Sequence, residues 1–415
     1  KFSPVKIYEL WYEATQPKVL GMGYAATRDV VSFLRYERAD SKGTLNPALG
    51  GNLSDDGNAL RYALGVGISQ SGRYLRHYIE LGMNKDEQGR RVFDGMLAHI
   101  SGAGKVFANH TFGMPNRTAT QHEDRYYPEN WFPFSAAHLA DPLTGQSGAL
   151  LRNDGFDPLL IETNTSTEYW QKGASLLHID PATLSDIAEP QNARTYLIAG
   201  TQHGGHFGST ADPGACANPR NPNSAGPALR ALLVALDEWV TKGVAPPKSR
   251  IPSIADHSAI EAGAIKMPVV SGFSITPGDN PAFLPVDWID PPKSPGKIYQ
   301  TRVPAVDIDG NEIAGIRLPP VAAPLGTHTG WNVYKVAPTE LCDRDGSFVP
   351  FAKTKAEREA AHDPRLSIEE RYGNREAYVA KVKAAADALV SDRLLLASDA
   401  QAFVKAAEIR DLLAK

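Results

Sequence analysis

The first half of the chain alternates short apolar runs with stretches in which apolar residues recur at helical spacing. Several apolar runs end in glycine or polar residues, which is typical of strands that finish in a loop. Strands that alternate with helices predict an α/β fold with a mostly parallel sheet, in which the loops after the strands share one edge. The predicted strands cover residues 7–13, 63–68 and 93–100 and start again at residues 158 and 194, and the predicted helices cover residues 25–38 and 227–240.

The apolar run at residues 63–68 ends on Ser69, and a predicted helix follows at once. This order is typical of a nucleophile elbow, in which a serine sits on a strained turn between a strand and a helix. Gly67 matches the small residue expected two positions before the serine, whereas Ser71 replaces the usual second glycine and Gly72 follows it. The pattern leaves Ser71 open as the nucleophile. We favour Ser69 because it directly follows the strand, and a serine that only caps the helix is the structural alternative.

A serine nucleophile needs a histidine that takes its proton and a carboxylate that holds the histidine. Chain order supplies both, because an acid and then a histidine follow the serine in the α/β-hydrolase arrangement. The strand that starts at residue 158 is expected to run into a polar loop that carries Glu168, the favoured acid. His203 follows the strand that starts at residue 194 and is the favoured base, with His206 as the reserve.

Two less favoured carboxylates and one backbone group complete the predicted chemistry. Glu162 would lie inside the strand that precedes Glu168, and Asp157 would lie before that strand. The backbone N–H of Gln70 would open the helix, where unpaired donors and the positive end of the helix dipole favour an oxyanion. A loop histidine bonded to the backbone and a solvated glutamate are the structural alternatives for the base and the acid.

Four motifs in the chain resemble a family of large bacterial α/β-hydrolase domain-containing proteins. They are residues 69–73 (SQSGR), 163–170 (TNTSTEYW), 200–203 (GTQH) and 329–332 (TGWN). The resemblance runs from about residue 8 to residue 396 and implies the α/β-hydrolase fold, with Ser69, Glu168 and His203 as a serine hydrolase triad. It implies no substrate. A more distant similarity to the glucuronoyl esterases, whose elbow also carries a basic residue, implies that Arg73 contacts an oxyanion or a carboxylate.

Length and composition agree with an enzyme that has a sizeable core, since the chain has 415 residues, of which 42% are hydrophobic and 22% charged. A net charge of −4 does not indicate binding to nucleic acid or to an anionic membrane surface. No apolar run approaches the length of a membrane span. Together with the predicted triad, these features lead us to expect a small-molecule ester as the partner and no nucleic acid or membrane. We expect no metal or organic cofactor.

Two cysteines, Cys216 and Cys342, are too few for a disulfide scaffold or a metal cluster. Both lie in polar, loop-like surroundings, which favours a single surface bridge over core packing. A bridge would indicate the periplasm or the exterior of the cell, whereas a cytosolic protein would keep two thiols. The sequence favours the bridge and does not determine the cellular compartment.

The chain is expected to form an α/β-hydrolase core over residues 1–250, with a cap insertion at about residues 105–157. Residues 251–415 are predicted to be a C-terminal extension of short β pieces and terminal helices packed on the core. This fold normally has several strands before the elbow, so we expect N-terminal strands, and an N-terminal segment that carries them, to be missing from the chain. Within the insertion, a minority of the aromatic rings would wall the substrate, and the candidates are Phe112, Trp131 and Phe132.

The sequence as a whole predicts a carboxylesterase that forms an acyl-enzyme through a catalytic triad and an oxyanion hole. An amidase or a peptidase would use the same triad, and a non-catalytic binding protein on the same scaffold is the alternative from another class. One further motif, residues 307–312, has a faint likeness to a calcium loop. It lacks the full ligand spacing, and Asp309 followed by Gly310 predicts a hairpin turn instead.

Overall fold

The computed structural model describes residues 2–3, 8, 10, 12–49, 59–108, 130–204, 213–273, 282–284, 297–342 and 344–412. The helices are α1 (Met22–Tyr36), α2 (Gln70–Glu80), α3 (Ser166–Gln171), α4 (Gly226–Lys242), α5 (Pro319–Ala322), α6 (Lys355–Ala360), α7 (Ile368–Tyr372), α8 (Arg375–Ser391) and α9 (Ala397–Glu408). The strands are β1 (Leu64–Ile68), β2 (Gly95–His99), β3 (Leu139–Ala140), β4 (Ser147–Gly148), β5 (Leu159–Thr165), β6 (Ala193–Ile198), β7 (Ala259–Ile260), β8 (Ala282–Leu284), β9 (Lys297–Tyr299), β10 (Val303–Pro304), β11 (Gly326–His328) and β12 (Phe348–Pro350). Short 3-10 turns cover Ala174–Leu177 and Ala262–Ala264.

Four parallel strands form the central sheet in the order β1-β2-β5-β6. In its register, Gly95 of β2 lies opposite Leu64 of β1 and Leu159 of β5, and Leu160 lies opposite Ala193 of β6. The strands therefore end close together at one edge of the sheet, where ligand-binding loops of open parallel sheets lie. The α/β class is confirmed, and so are the strands predicted around residues 63–68, 93–100, 158 and 194.

Helices cover both faces of the central sheet. On one face, Tyr78 and Ile79 of α2 pack in a buried cluster with Met96 of β2 and Leu160 of β5. On the other face, the apolar side of α4 packs against the neighbouring strand positions. The buried residues of that second cluster include Leu97, Ile161, Tyr196, Leu232 and Leu236. Successive side chains of each strand thus point to opposite faces of the sheet and form two separate apolar layers.

The extension beyond residue 250 continues the sheet and shares its core. Ile316 lies parallel to β6, where its N–H donates to the Leu197 carbonyl at 2.7 Å and its carbonyl accepts from the Ala199 N–H at 3.1 Å. Ile316 is buried in the same cluster as α4, together with Leu389 of α8 and Leu395. The terminal helices therefore pack on the α4 face.

Some predicted elements differ from those observed. Of the strand expected at residues 7–13, residues 7, 9 and 11 lie outside the described residues, and the described residues 8, 10, 12 and 13 lie in no strand. Residues 368–389, expected as one terminal helix, form α7 and most of α8, with a break where Gly373 adopts a positive φ of 72° and Asn374 caps α8. None of the helices that the structure describes is both long enough and apolar enough to cross a membrane.

The segment at residues 307–312 forms a turn. The Asp307 N–H donates to the Asn311 carbonyl at 2.8 Å, and the Gly310 N–H donates to the Asp307 carbonyl at 3.0 Å. Gly310 has a φ of 80°, a conformation that glycine adopts without strain. Val306 and Glu312 pair across the turn as an antiparallel bridge, which matches the hairpin interpretation of this motif.

Candidate active site

Ser69 lies on the turn between β1 and α2 with a strained backbone, at φ 58° and ψ −117°. Two glycines allow the turn to close. A Cβ at Gly67 would lie 2.3 Å from the Ser71 carbonyl oxygen, and one at Gly72 would lie 2.8 Å from the His99 carbonyl oxygen. The small residues that the tight turn requires are therefore at positions 67 and 72, so position 71 can be a serine.

The hydroxyl of Ser69 faces His203, and the two are 134 residues apart in sequence. The distance from Ser69 Oγ to His203 Nε2 is 2.8 Å. Ser71 is exposed on the first turn of α2, and the hydrogen bond described for His203 Nε2 goes to Ser69. His206, the reserve base, lies outside the described residues. Of the pairs that the sequence left open, the described geometry joins Ser69 with His203.

Glu168 lies on a helix, and the expectation that it belongs to a polar loop was wrong. It is the third residue of α3, where Thr165 and Glu168 form a capping box. One carboxylate oxygen, Oε2, accepts hydrogen bonds from the Thr165 N–H, at 2.9 Å, and from the Thr165 hydroxyl. The other oxygen, Oε1, lies 2.5 Å from His203 Nδ1. The capping box thus fixes which oxygen of Glu168 faces the imidazole.

Glu168 is completely buried, which makes its charge state depend on its partners. Burial by itself would raise the pKa of this carboxyl. The neighbouring His203 and the two donors of Thr165 outweigh that effect, and they hold the pKa of Glu168 below its usual value. The carboxyl is therefore ionised at neutral pH and accepts a hydrogen bond from His203 Nδ1–H. Nε2 then carries no proton and can accept a hydrogen bond from the serine hydroxyl.

The two alternative carboxylates have other partners. Glu162 lies in β5, as expected, and its carboxylate pairs with the buried guanidinium of Arg76 on α2. Asp157 accepts hydrogen bonds from the backbone N–H groups of Arg152, at 3.0 Å, and Asn153, at 2.6 Å. The hydrogen bonds described for these two carboxylates do not involve His203, so among the three acids Glu168 is the one that faces the base.

His99 is a polar residue of this region that the sequence reasoning missed. It ends β2, its carbonyl accepts the Ser69 N–H at 2.9 Å, and its Nδ1 lies 2.8 Å from the Thr163 hydroxyl. Burial lowers the pKa of His99 to about 4, with Glu168 opposing the change and His203 adding to it. His99 is therefore neutral at pH 7. Its position at a strand end next to the elbow was the available signal.

The candidate oxyanion residues both lie on the first turn of α2. Gln70 is its first residue, where the positive end of the helix dipole lies. Arg73 is buried, and its side chain packs beside the backbone of Gly104, where an added Cβ would lie 3.0 Å from Arg73 Cδ. The structure thus places both residues within one helical turn of Ser69.

The three candidate pocket aromatics have different surroundings. Phe112 lies outside the described residues. Phe132 is buried in an apolar cluster with Phe134 and Tyr299, which is the packing role that we expected of most rings in the insertion. Trp131 is half-buried, and the Lys105 ammonium lies 4.7 Å from its ring centroid.

Cys216 and Cys342 form a disulfide with their Cα atoms 5.6 Å apart, which joins the segment after His203 to the extension. Among the side chains that the structure describes, no group of three or more His, Cys, Asp or Glu residues has the arrangement of a metal site.

Comparison with known proteins identifies the family. A family model described as an alpha/beta hydrolase domain matches residues 3–405. The chain belongs to this family. Members of the α/β-hydrolase superfamily are mostly hydrolytic enzymes, which suggests a hydrolase here. Neither the curated proteins nor the solved structures gave a significant match to the chain. The distant likeness to the glucuronoyl esterases has no such support and stays a hypothesis.

Proposed function

We propose that this α/β-hydrolase is a serine esterase that cleaves a carboxylic ester through an acyl-enzyme. One observation carries the proposal, namely the unbroken chain of contacts from Ser69 Oγ to His203 Nε2, at 2.8 Å, and from His203 Nδ1 to Glu168 Oε1, at 2.5 Å. Both distances are within the reach of direct proton transfer or strong hydrogen bonding. The strained backbone of Ser69 supports the same proposal, because such strain is stored at functional sites.

In the proposed first step, Ser69 Oγ attacks the ester carbonyl carbon while its proton passes to His203 Nε2. The buried Glu168 carboxylate stabilises the imidazolium that forms and keeps the proton on Nδ1. The carbonyl oxygen becomes an oxyanion, for which the Gln70 N–H at the start of α2 is the proposed donor and Arg73 a second candidate.

In the second step, the carbon–oxygen bond to the alcohol breaks and the leaving alkoxide takes the proton from His203 Nε2. Water then attacks the acyl-enzyme while His203 takes a proton from it, and collapse of that intermediate returns the proton to Ser69 and releases the acid. Each proton that leaves a nucleophile is returned to a leaving group, so the cycle restores the free enzyme. Trp131, half-buried in the insertion, is a candidate wall for the substrate.

Hydrolysis of p-nitrophenyl acetate by the wild type, Ser69→Ala and Ser71→Ala tests the proposal. We expect kcat/KM of Ser69→Ala to fall by at least about 10³-fold, because the nucleophile is lost. Ser71→Ala is the matched control, since Ser71 is exposed on the neighbouring turn and should keep its activity. Equal rates for the wild type and Ser69→Ala would remove the enzyme proposal and favour a binding protein on this scaffold.

A second measurement separates the leaving groups. The wild type is compared on an ester and on the matched amide, since an amidase or a peptidase uses the same triad. We expect hydrolysis of the ester and much slower hydrolysis of the amide. The opposite order would assign the chain to the amidases while leaving the roles of Ser69, His203 and Glu168 intact. Labelling with a fluorophosphonate followed by peptide mapping should place the adduct on Ser69.

The disulfide bears on where such an enzyme works. Disulfides persist in oxidising compartments and are rare in the cytosol. The bridge between Cys216 and Cys342 therefore supports a periplasmic or secreted location. Mass measurement of the protein isolated from its natural compartment under alkylating conditions tests this location, because free thiols would add two alkyl groups.

A further inference from the structure

Glu312 is a buried carboxyl group in the extension, far along the chain from the triad. It follows the turn at residues 307–311, and only 3% of its surface is exposed. The neighbouring Asn311 fixes the turn, because its side chain donates to the Gly326 carbonyl at 3.1 Å and accepts from the His328 N–H at 2.9 Å. The position of the Glu312 backbone is therefore set by the extension itself.

One oxygen of Glu312 accepts two hydrogen bonds from the two halves of the candidate site. Glu312 Oε2 accepts the hydroxyl of Ser166 at 2.6 Å and the backbone N–H of Gly200 at 2.8 Å. Ser166 is the first residue of α3 and lies two positions before Glu168. Gly200 is the second residue after β6 and lies three positions before His203. A single carboxyl oxygen thus joins the helix of the acid to the loop of the base.

The Gly200 peptide is held tightly on both sides. Its carbonyl accepts the side-chain amides of Asn221, at 2.9 Å, and Asn223, at 3.0 Å. Its backbone has a φ of 61°, and an added Cβ would lie 2.6 Å from Val321 Cγ2. Both the N–H of Gly200 and the hydroxyl of Ser166 are buried, so each needs an acceptor, and Glu312 supplies it.

Loss of that acceptor would act on the alignment of the triad. The two donors would be left buried without their present partner, which costs more than the bond itself contributes. The start of α3 and the loop at residue 200 would then separate or rearrange to find other partners. Because Glu168 and His203 are held 2.5 Å apart across this junction, a small shift of either segment lengthens their contact.

We propose that Glu312 is a positioning residue that keeps Glu168 and His203 in register through Ser166 and Gly200. This inference rests on the proposed hydrolase function for its kinetic consequence. What the position requires is an oxygen acceptor of the right reach, which a glutamine also offers. A leucine of similar size offers none.

The kinetic experiment compares Glu312→Gln, Glu312→Leu and Asp309→Asn with the wild type on p-nitrophenyl acetate. Asp309→Asn is the matched control, because Asp309 is a buried carboxylate of the same turn whose partner is Arg371 on α7. We expect Glu312→Leu to lower kcat by about 10- to 100-fold with little change in KM, as misplaced catalytic groups do. Glu312→Gln should stay within about threefold of the wild type, and so should Asp309→Asn.

Two outcomes would overturn the inference. In a folded Glu312→Leu variant, an unchanged kcat would show that the triad aligns without this acceptor. A folded Glu312→Gln variant as impaired as Glu312→Leu would show that the acceptor oxygen is not what matters. If Glu312→Leu fails to fold, Ser166→Ala decides the question, because it removes one of the two hydrogen bonds and leaves the carboxyl in place. Wild-type activity in a folded Ser166→Ala variant would then refute the proposal, and a fall of kcat with little change in KM would support it.

A spectroscopic readout separates this inference from the proposed function. The proton between His203 Nδ1 and Glu168 should give a low-field signal in the proton NMR spectrum, whether or not the protein hydrolyses an ester. We expect that signal in the wild type, Glu312→Gln and Asp309→Asn, and its loss or broadening in Glu312→Leu. A wild type that keeps the signal but hydrolyses no ester would refute the function alone. An unchanged signal in Glu312→Leu would refute the positioning role alone.

Discussion

The central sheet and the extension hold the candidate triad by different physical means. In the sheet, parallel register brings the ends of β1, β5 and β6 to one edge, and apolar layers on both faces keep the strands in place. In the extension before α6, the described strands are only two or three residues long. There the contacts to the site are polar: the Glu312 carboxyl accepts two hydrogen bonds, and backbone groups of the extension bond to buried side chains near His203.

A network of such polar groups surrounds the loop that carries His203. Asn221 donates to the Gly200 and Thr329 carbonyls, both at 2.9 Å. Gln202 donates to the Asn221 carbonyl at 2.5 Å and accepts the Gly346 N–H at 2.9 Å. Buried polar networks specify one arrangement when every member is satisfied, and they are costly when one is not. The sheet therefore sets the approximate place of the triad residues, and we infer that the extension sets their final alignment.

The largest effect is expected where the two regions meet, at Glu168. In Glu168→Gln, the Thr165 donors should retain the side-chain oxygen, because the capping box needs an acceptor. The amide nitrogen would then face His203 Nδ1 and force the imidazole into the tautomer that cannot take the serine proton. We expect kcat to fall by about 10⁴-fold, the size seen when a triad acid becomes an amide.

Glu162→Gln is the matched control for that prediction, since Glu162 is an equally buried glutamate of the same segment that pairs with Arg76. It should lower the free energy of unfolding, because a buried guanidinium loses its ionic partner, while kcat changes little. Ester hydrolysis and urea unfolding of both variants check the pair. A large fall of kcat in a folded Glu162→Gln with none in Glu168→Gln would reverse the assignment of the acid.

The sheet was predictable from the sequence, whereas the contacts of the extension were not. The strands at residues 63–68 and 93–100 were predictable, because the local pattern of apolar residues indicates them. The elbow was predictable because a tight turn demands small residues at fixed positions around Ser69. Glu168 was proposed as the acid from chain order, but its helix was not predicted, because α3 has six residues and is stabilised by a capping box and tertiary packing instead of an apolar stripe.

The contacts from the extension had no signal in the sequence. Glu312 lies 146 residues from Ser166 and 112 from Gly200, and each of these contacts joins residues with no periodic relation. The motif at residues 307–312 was noticed only for its turn and its likeness to a calcium loop. Long-range polar contacts depend on three-dimensional placement, which local propensity does not encode.

Removal of the disulfide should affect stability far more than catalysis. The bridge joins residues 126 positions apart, so the variant Cys216→Ser with Cys342→Ser should lose about 5 kcal/mol of unfolding free energy in the chain-entropy model. Hydrogen bonds beside the bridge remain, including one of 2.7 Å from the Ala217 N–H to the Val333 carbonyl. We expect kcat to be retained in the folded variant. Urea unfolding and ester hydrolysis measure both, and a folded variant without activity would make the bridge part of the alignment.

The next effect concerns Gly330, which brings the extension against the start of α3. An added Cβ would lie 2.2 Å from Ser166 Cβ and 2.5 Å from the Thr167 backbone nitrogen, so backbone must move. Thr167 also links this region to the base, since its hydroxyl donates to the Gly330 carbonyl at 2.7 Å and accepts the His203 N–H at 3.2 Å. We expect Gly330→Ala to lower kcat by about 10²-fold, the cost of a displacement of roughly 1 Å.

Gly263→Ala is the control for the glycine substitution, because an added Cβ there meets nothing within 4 Å. It lies in the extension too, so it tests whether any alanine in this region disturbs the site. Steady-state kinetics and thermal unfolding of both variants separate misalignment from loss of fold. A Gly330→Ala variant with wild-type kcat would mean that α3 tolerates the displacement, and the extension would then have no role in alignment at this point.

The smallest effect is a change in the pH dependence of stability caused by Glu312. Burial raises its pKa to about 7, although the Ser166 hydroxyl, the Gly200 N–H and Arg317 oppose the change. The phenol of Tyr169 also lies near this carboxyl, and burial keeps it protonated. In the unfolded chain the carboxyl has its ordinary pKa of 4.5. Between these two values the unfolded chain releases the proton while the folded protein keeps it, so the wild type loses stability as the pH rises.

Glu312→Gln has no such titration and keeps both hydrogen bonds. Its free energy of unfolding relative to the wild type should therefore be flat below about pH 4.5, rise towards pH 7 and stay constant above it. The total gain should be on the order of 2 kcal/mol. This is less than the full pKa difference implies, because the protein relaxes around a buried charge and lowers its cost. Urea unfolding of both proteins at a series of pH values measures this difference, in which the titration of all other groups cancels. A difference that does not change with pH would mean that Glu312 titrates alike in both states, and its buried position would then carry no electrostatic penalty.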